Sequence, residues 1–150
     1  MGLKEKLQGD LTEAIRSRDE LTSGTIRMLL AAIQVEEVAG KEARVLTDDE
    51  IIKVLSREAK KRREAVDAFK DAGRADKAEQ EAKEGEVILK YLPAQLSEAE
   101  IKKIVADAVA EAGATTPQQM GAVMKIVQPK VAGKADGGLV SSLVKAALGN

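Results

Sequence analysis

Apolar residues recur along this chain at three- and four-residue spacings and nowhere alternate as a half-buried strand requires, so the pattern predicts helices from end to end. Leu3, Leu7, Leu11, Ala14 and Ile15 form a first stripe, on a helix ending near Arg18 and Asp19. Ile26, Leu29, Leu30 and Ile33 repeat it between Leu21 and Val38, with Thr22 or Ser23 as the expected cap and Gly40 as the expected stop. Thr47-Asp48-Asp49-Glu50 has the hydroxyl and glutamate spacing of a capping box, and the stripe Ile51, Leu55, Ala59, Val66 and Phe69 runs from it down to Gly73. Residues 75 to 92 carry Ala78, Ala82, Gly85, Ile88, Leu89 and Leu92, which predicts a second long helix folding back as a hairpin through a turn at Gly73 and Arg74.

Pro93 interrupts this periodicity, and the density of charged residues falls after it. A second capping box, Ser97-Glu98-Ala99-Glu100, opens a helix with Ile101, Ile104, Val105, Ala108 and Val109 that Gly113 should stop. Thr116 followed by Pro117 reads as an N-cap with proline at the first helical position, ahead of Met120, Val123, Met124 and Val127. Pro129 should bend or end that helix, and Asp136 should cap a last one bearing Leu139, Val140, Leu143, Val144 and Leu148. The expected fold is all-α with two helical subdomains: residues 1–92, containing the long hairpin, and residues 93–150, a three-helix part.

Composition narrows the chemistry. Hydrophobic residues are 44% of 150, yet 24 are alanine and the only aromatics are Phe69 and Tyr91, which suits closely packed helices. Histidine and cysteine are absent, which removes His-dependent triads, thiol nucleophiles, imidazole or thiolate metal sites and disulfides. No cofactor, metal or catalytic residue is expected. The first residues are not a basic-then-apolar signal, and the longest apolar run, Met28 to Ile33, is far below the ~20 residues of a membrane span. The expectation is a cytoplasmic protein without a membrane partner.

The formal charge of −1 predicts no long-range pull on nucleic acid, but its distribution is uneven: residues 117–150 hold four lysines against one acid. Lys125, Lys130, Lys134 and Lys145 are expected around two helix ends and a glycine-bearing connector, where Gly121, Gly133 and Gly137 permit turns or close backbone approach to a phosphate. Solubility is the alternative reading of the four lysines, and no aromatic lies nearby to stack on a base. Elsewhere, the run Arg57, Lys60, Lys61, Arg62 and Arg63 is interleaved with Glu58 and Glu64 and reads as side-chain pairing on a helix. Asp48, Asp49 and Glu50 suit a helix N-terminus better than a cation site. Gly133-Lys134 misses the phosphate-loop pattern at Gln128 and Ala135, and Ser141 and Ser142 fall on a helix rather than a nucleophile-bearing loop.

Four segments carry a resemblance: Thr25-Ile26-Arg27-Met28, Leu55-Ser56-Arg57-Glu58, Tyr91-Leu92-Pro93-Ala94-Gln95-Leu96-Ser97, and Met120 to Val140. Through them the chain resembles the YqeY family over nearly its whole length. From about Met120 to Leu148 it is also similar to the tail of the GatB subunit of the tRNA-dependent amidotransferase. The resemblance implies a carboxyl-terminal part that holds tRNA, or an amidotransferase or translation component. It implies carbon-nitrogen ligase activity with glutamine as donor by association only, because the amidotransferase's catalytic body has no counterpart here. The chain departs from the family pattern at Ala122 and Ala132, where lysine is common, and at Lys125, where glycine is frequent. A protein-binding role for exposed faces of the hairpin, around Phe69 and Ile88, is the remaining alternative.

Overall fold

A computed structural model describes residues 2–149, and among them every regular element is helical. The elements are α1 (Leu3–Arg16), α2 (Glu20–Glu37), α3 (Asp48–Asp71), α4 (Ala75–Leu89), α5 (Glu98–Ala112), a 3₁₀ turn (Pro117–Gln119), α6 (Met120–Val131) and α7 (Gly137–Ala147). The chain divides into two compact units, Met1–Leu92 and Pro93–Asn150.

In the first unit, α1, α2 and the α3–α4 hairpin enclose Leu7, Ile26, Leu29, Ile33, Ile51, Leu55 and Ile88, all aliphatic and fully buried. The Lys4–Glu37 ion pair, 2.9 Å, joins the start of α1 to the end of α2. The Thr47 capping box forms as the spacing predicts, with Glu50 N donating to Thr47 Oγ1 at 3.2 Å and the Glu50 carboxylate accepting from Thr47 N at 3.2 Å. Gly73 adopts φ +73°, and Arg74 N donates to Phe69 O at 2.8 Å, so α3 ends in a left-handed Schellman turn.

Four expectations need correction. Helix α1 stops at Arg16, and Arg18 itself takes the left-handed conformation, φ 58°. Asp19, rather than Thr22 or Ser23, caps α2: its carboxylate accepts from Thr22 N at 3.0 Å and Thr22 Oγ1 at 2.7 Å, while Ser23 is buried. Gly40 does not stop α2, which ends at Glu37, where the carbonyl accepts from Arg44 N at 2.9 Å. Ile88 faces the core at 0% exposure, and its neighbour Leu89, at 41%, takes the outer face instead. A one-residue step turns a side chain about 100° around a helix, and α4 packs on α2 as well as α3, which fixes the inward side.

The second unit buries Ile101, Val105 and Ala108 of α5 against Val123, Val127 and Val131 of α6 and Val140, Val144 and Leu148 in and after α7. Ser97 and Glu100 complete the second capping box, and Gly113, φ 63°, stops α5. Thr116 and Pro117 open a 3₁₀ turn, and α6 starts only at Met120. Pro129 lies inside α6, which ends two residues later at Val131. A proline near a helix end removes one backbone donor, leaving the Lys125 carbonyl without its partner four residues on.

Candidate nucleic-acid interface

The site is set by which face of each helix the core takes. Val123, Val127 and Val131 point α6 inward, so Lys125 and Lys130 are left exposed. Val140 and Val144 do the same for α7, leaving Lys145 exposed. Lys134 is exposed in the connector between the two helices. None of these four ammonium groups has a carboxylate within ion-pair distance among the described residues. The basic run of α3 differs: Arg57 pairs with Glu36 at 3.2 Å, Lys61 with Glu58 at 3.1 Å, and Arg62 with Glu81 and Glu84 at 3.0 and 3.2 Å.

The lysines do not form one stripe. Lys125 and Lys130 are about 140° apart around α6 and about 7.5 Å apart along it, and Lys145 lies about 12 Å along α7 from Gly137. Lys130 thus stands at the end of α6, Lys134 in the connector, and Lys125 and Lys145 farther along the two helices.

Backbone donors contribute less than helix ends ordinarily offer. The Asp136 carboxylate caps α7 by accepting from Gly138 N at 3.2 Å, which places a negative charge where an anion would otherwise sit. Ahead of α6, the Gln119 side-chain oxygen accepts from Thr115 N and Thr116 N at 2.6 and 3.0 Å. Charge on this surface therefore comes from the lysines. Ser142 is occupied too, its hydroxyl donating to Gly138 O at 3.0 Å in the usual helical back-bond.

The three candidate glycines separate. Gly133 takes φ +72° and makes the connector's turn. Gly121 and Gly137 lie in the first turns of α6 and α7, and a Cβ at either would meet nothing within 4 Å. Their backbone is open to close approach from outside.

Gln95 is a residue to which the sequence pattern assigned no role. Its amide donates to the carbonyls of Pro93 at 2.7 Å and Gly133 at 2.9 Å, and Leu96 N donates to Lys134 O at 2.8 Å. The Pro93–Leu96 segment thus pins the backbone that carries Lys134. The only sequence signal was the segment's presence in the family resemblance.

Two acids in the first turn of α3 are similarly engaged: Asp48 accepts from Leu3 N at 3.0 Å, and Arg44 holds Glu50.

Fold and surface together describe an all-helical scaffold with a lysine-bearing three-helix unit. The chain belongs to the YqeY family: the profile described as "Yqey-like protein" matches residues 4–148. It is 30% identical over 146 residues to "Altered inheritance of mitochondria protein 41, mitochondrial" of Clavispora lusitaniae, covering 95% of this chain and 83% of that protein. The same-named protein of Pyrenophora tritici-repentis is 30% identical over 150 residues, covering 96% of this chain and 80% of that protein. An uncharacterised protein of Schizosaccharomyces pombe is 28% identical over 95 residues, covering 63% of this chain and 76% of that protein. The named relatives are mitochondrial proteins, which corrects the expectation of a cytoplasmic one.

Proposed function

We propose that the protein is a non-catalytic tRNA-binding module whose carboxyl-terminal unit grips the phosphate backbone. The observation that carries this reading is the set of four exposed lysines, Lys125, Lys130, Lys134 and Lys145, without carboxylate partners among the described residues, on a segment whose one acidic side chain is engaged as a helix cap. Unneutralised ammonium groups release condensed counterions when they meet phosphates, and that release supplies affinity. The open backbone at Gly121 admits close approach. The likeness of Met120 to Leu148 to the GatB tail supplies the choice of tRNA. Recognition is of backbone shape, since this segment carries no aromatic side chain to stack on a base.

The test is fluorescence anisotropy with bulk tRNA over a salt series, comparing wild type with a variant in which Lys125, Lys130 and Lys134 are alanine. Binding should weaken with salt at a logarithmic slope of roughly 2 to 3 and drop in the variant. Absence of wild-type binding at low salt overturns the reading.

A further inference from the structure

The buried residues of α3 stop at Ala59, so its second half runs past the main core of the first unit and packs along α4. On one side of this hairpin lies an open groove of about 330 Å³, at the small end of the ~300–1,000 Å³ typical of ligand sites. Ala59, Val66, Ala82, Gly85 and Leu89 make its floor. At Gly85 the helices approach closely, since an added Cβ would lie 3.6 Å from Arg62 Cβ, and Leu89 stands 41% exposed at one end. A trough between two antiparallel helices suits the ridge of a third.

The charges around the floor identify what that third helix carries. Arg62 is already held by Glu81 and Glu84, two acids against one cation. Asp67 on α3 and Glu86 on α4 line opposite walls, exposed and without a cation in ion-pair range among the described residues. Arg63 is the one further cation at the groove. Of the side chains that line the groove, Asp67, Glu81 and Glu86 carry three negative charges against two positive, and Glu84 neutralises Arg62 from outside it, so the groove is complementary to aliphatic anchors flanked by basic residues.

We propose that the α3–α4 groove docks an amphipathic helix of a protein partner, with aliphatic anchors on the floor and Lys or Arg residues opposite Asp67 and Glu86. The groove lies in the other unit from the candidate tRNA surface, so this proposal does not depend on the tRNA reading. The probe is a fluorescein-labelled 18-residue amphipathic peptide of leucine and lysine, titrated with the full chain beside a twin in which glutamate replaces lysine. The lysine peptide should bind saturably and the glutamate peptide should not. Ala82→Trp, which fills the groove from an exposed position, should raise Kd at least tenfold. Asp67→Lys with Glu86→Lys should do so by reversing charge at two exposed positions without filling the apolar floor, which keeps the test sound if the tryptophan disturbs folding. Glu42→Lys with Glu111→Lys makes the same change in net charge elsewhere and should leave Kd within twofold. Failure of the lysine peptide to bind, binding unchanged in both groove variants, or equal weakening by the distant charge pair overturns the proposal. So does sedimentation showing self-association that Ala82→Trp abolishes, because the groove would then belong to a second copy of the chain.

Discussion

The Tyr91 hydroxyl donates to Asp10 Oδ2 at 2.6 Å, tying the end of the α3–α4 hairpin to α1 across 81 residues of sequence. Lys6 stands over the same ring, 5.5 Å from its centroid. Burial first, and then the Asp10 carboxylate, push the phenol above its ordinary value of 10.0. Because the folded form holds the proton more tightly, this group's stabilisation is complete below pH 10 and is lost as pH rises through the higher folded value. Tyr91→Phe should cost about 1 kcal/mol at neutral pH, a modest figure because the half-buried pair competes with water, and should flatten the loss of stability above pH 10. Urea melts of both proteins across that range check this.

Ile88 and Leu89 are adjacent and chemically alike, yet one is fully buried and the other 41% exposed. Ile88→Ala should destabilise by about 2–4 kcal/mol, through lost transfer energy and the cavity left behind. Leu89→Ala should change stability by less than about 1 kcal/mol. Thermal melts distinguish the two, and similar losses at both sites would contradict the orientation of α4.

This pair also marks how far the sequence was readable. Capping boxes at Thr47 and Ser97 and left-handed stops at Gly73 and Gly113 are local chemistry, and each forms as its spacing predicts. The inward side of α4 depends on where α2 packs, which no short-range pattern contains. The same holds for Asp19, whose capping role competes with two neighbouring hydroxyls, and for Gln95, whose partner Gly133 lies 38 residues on. The lysines and the valine faces that leave Lys125, Lys130 and Lys145 outside were legible from spacing, but the lack of carboxylate partners among the described residues was not, because it depends on how the helices of the unit pack.

Arg18 sits at φ 58° in the Schellman turn after α1, where Asp19 N donates to Ala14 O at 2.9 Å. A side chain with a Cβ pays for this conformation, and glycine does not. Arg18→Gly should therefore stabilise the fold by roughly 0.5–1 kcal/mol, against the usual direction of a substitution to glycine. A lowered melting temperature in the variant would show that the turn is not left-handed.

Glu50 is held at about 2, below its ordinary 4.5, by the Arg44 guanidinium and then by the backbone N–H of Thr47. A carboxylate depressed in the folded state contributes stability above its unfolded value that is lost as pH falls toward the folded one. Stability should therefore decline between about pH 4.5 and 2 with a component that Glu50→Gln removes. Thr47→Ala breaks the cap and should cost about 1 kcal/mol at neutral pH. Acid titration of the circular dichroism signal in the three proteins separates these contributions.

Gly121 and Gly133 allow fold and binding to be separated. Gly133 requires its left-handed φ of +72°, so Gly133→Ala should destabilise by about 1 kcal/mol and disturb the connector that carries Lys134. Gly121 is helical and its missing Cβ faces open space, so Gly121→Ala should leave the fold intact and stabilise it by about 0.5–1 kcal/mol. If tRNA phosphates approach the backbone there, the same methyl group obstructs them, and Gly121→Ala should weaken tRNA binding while raising the melting temperature. A variant that is more stable and binds as tightly as wild type would remove Gly121 from the interface and leave the lysines to carry it alone.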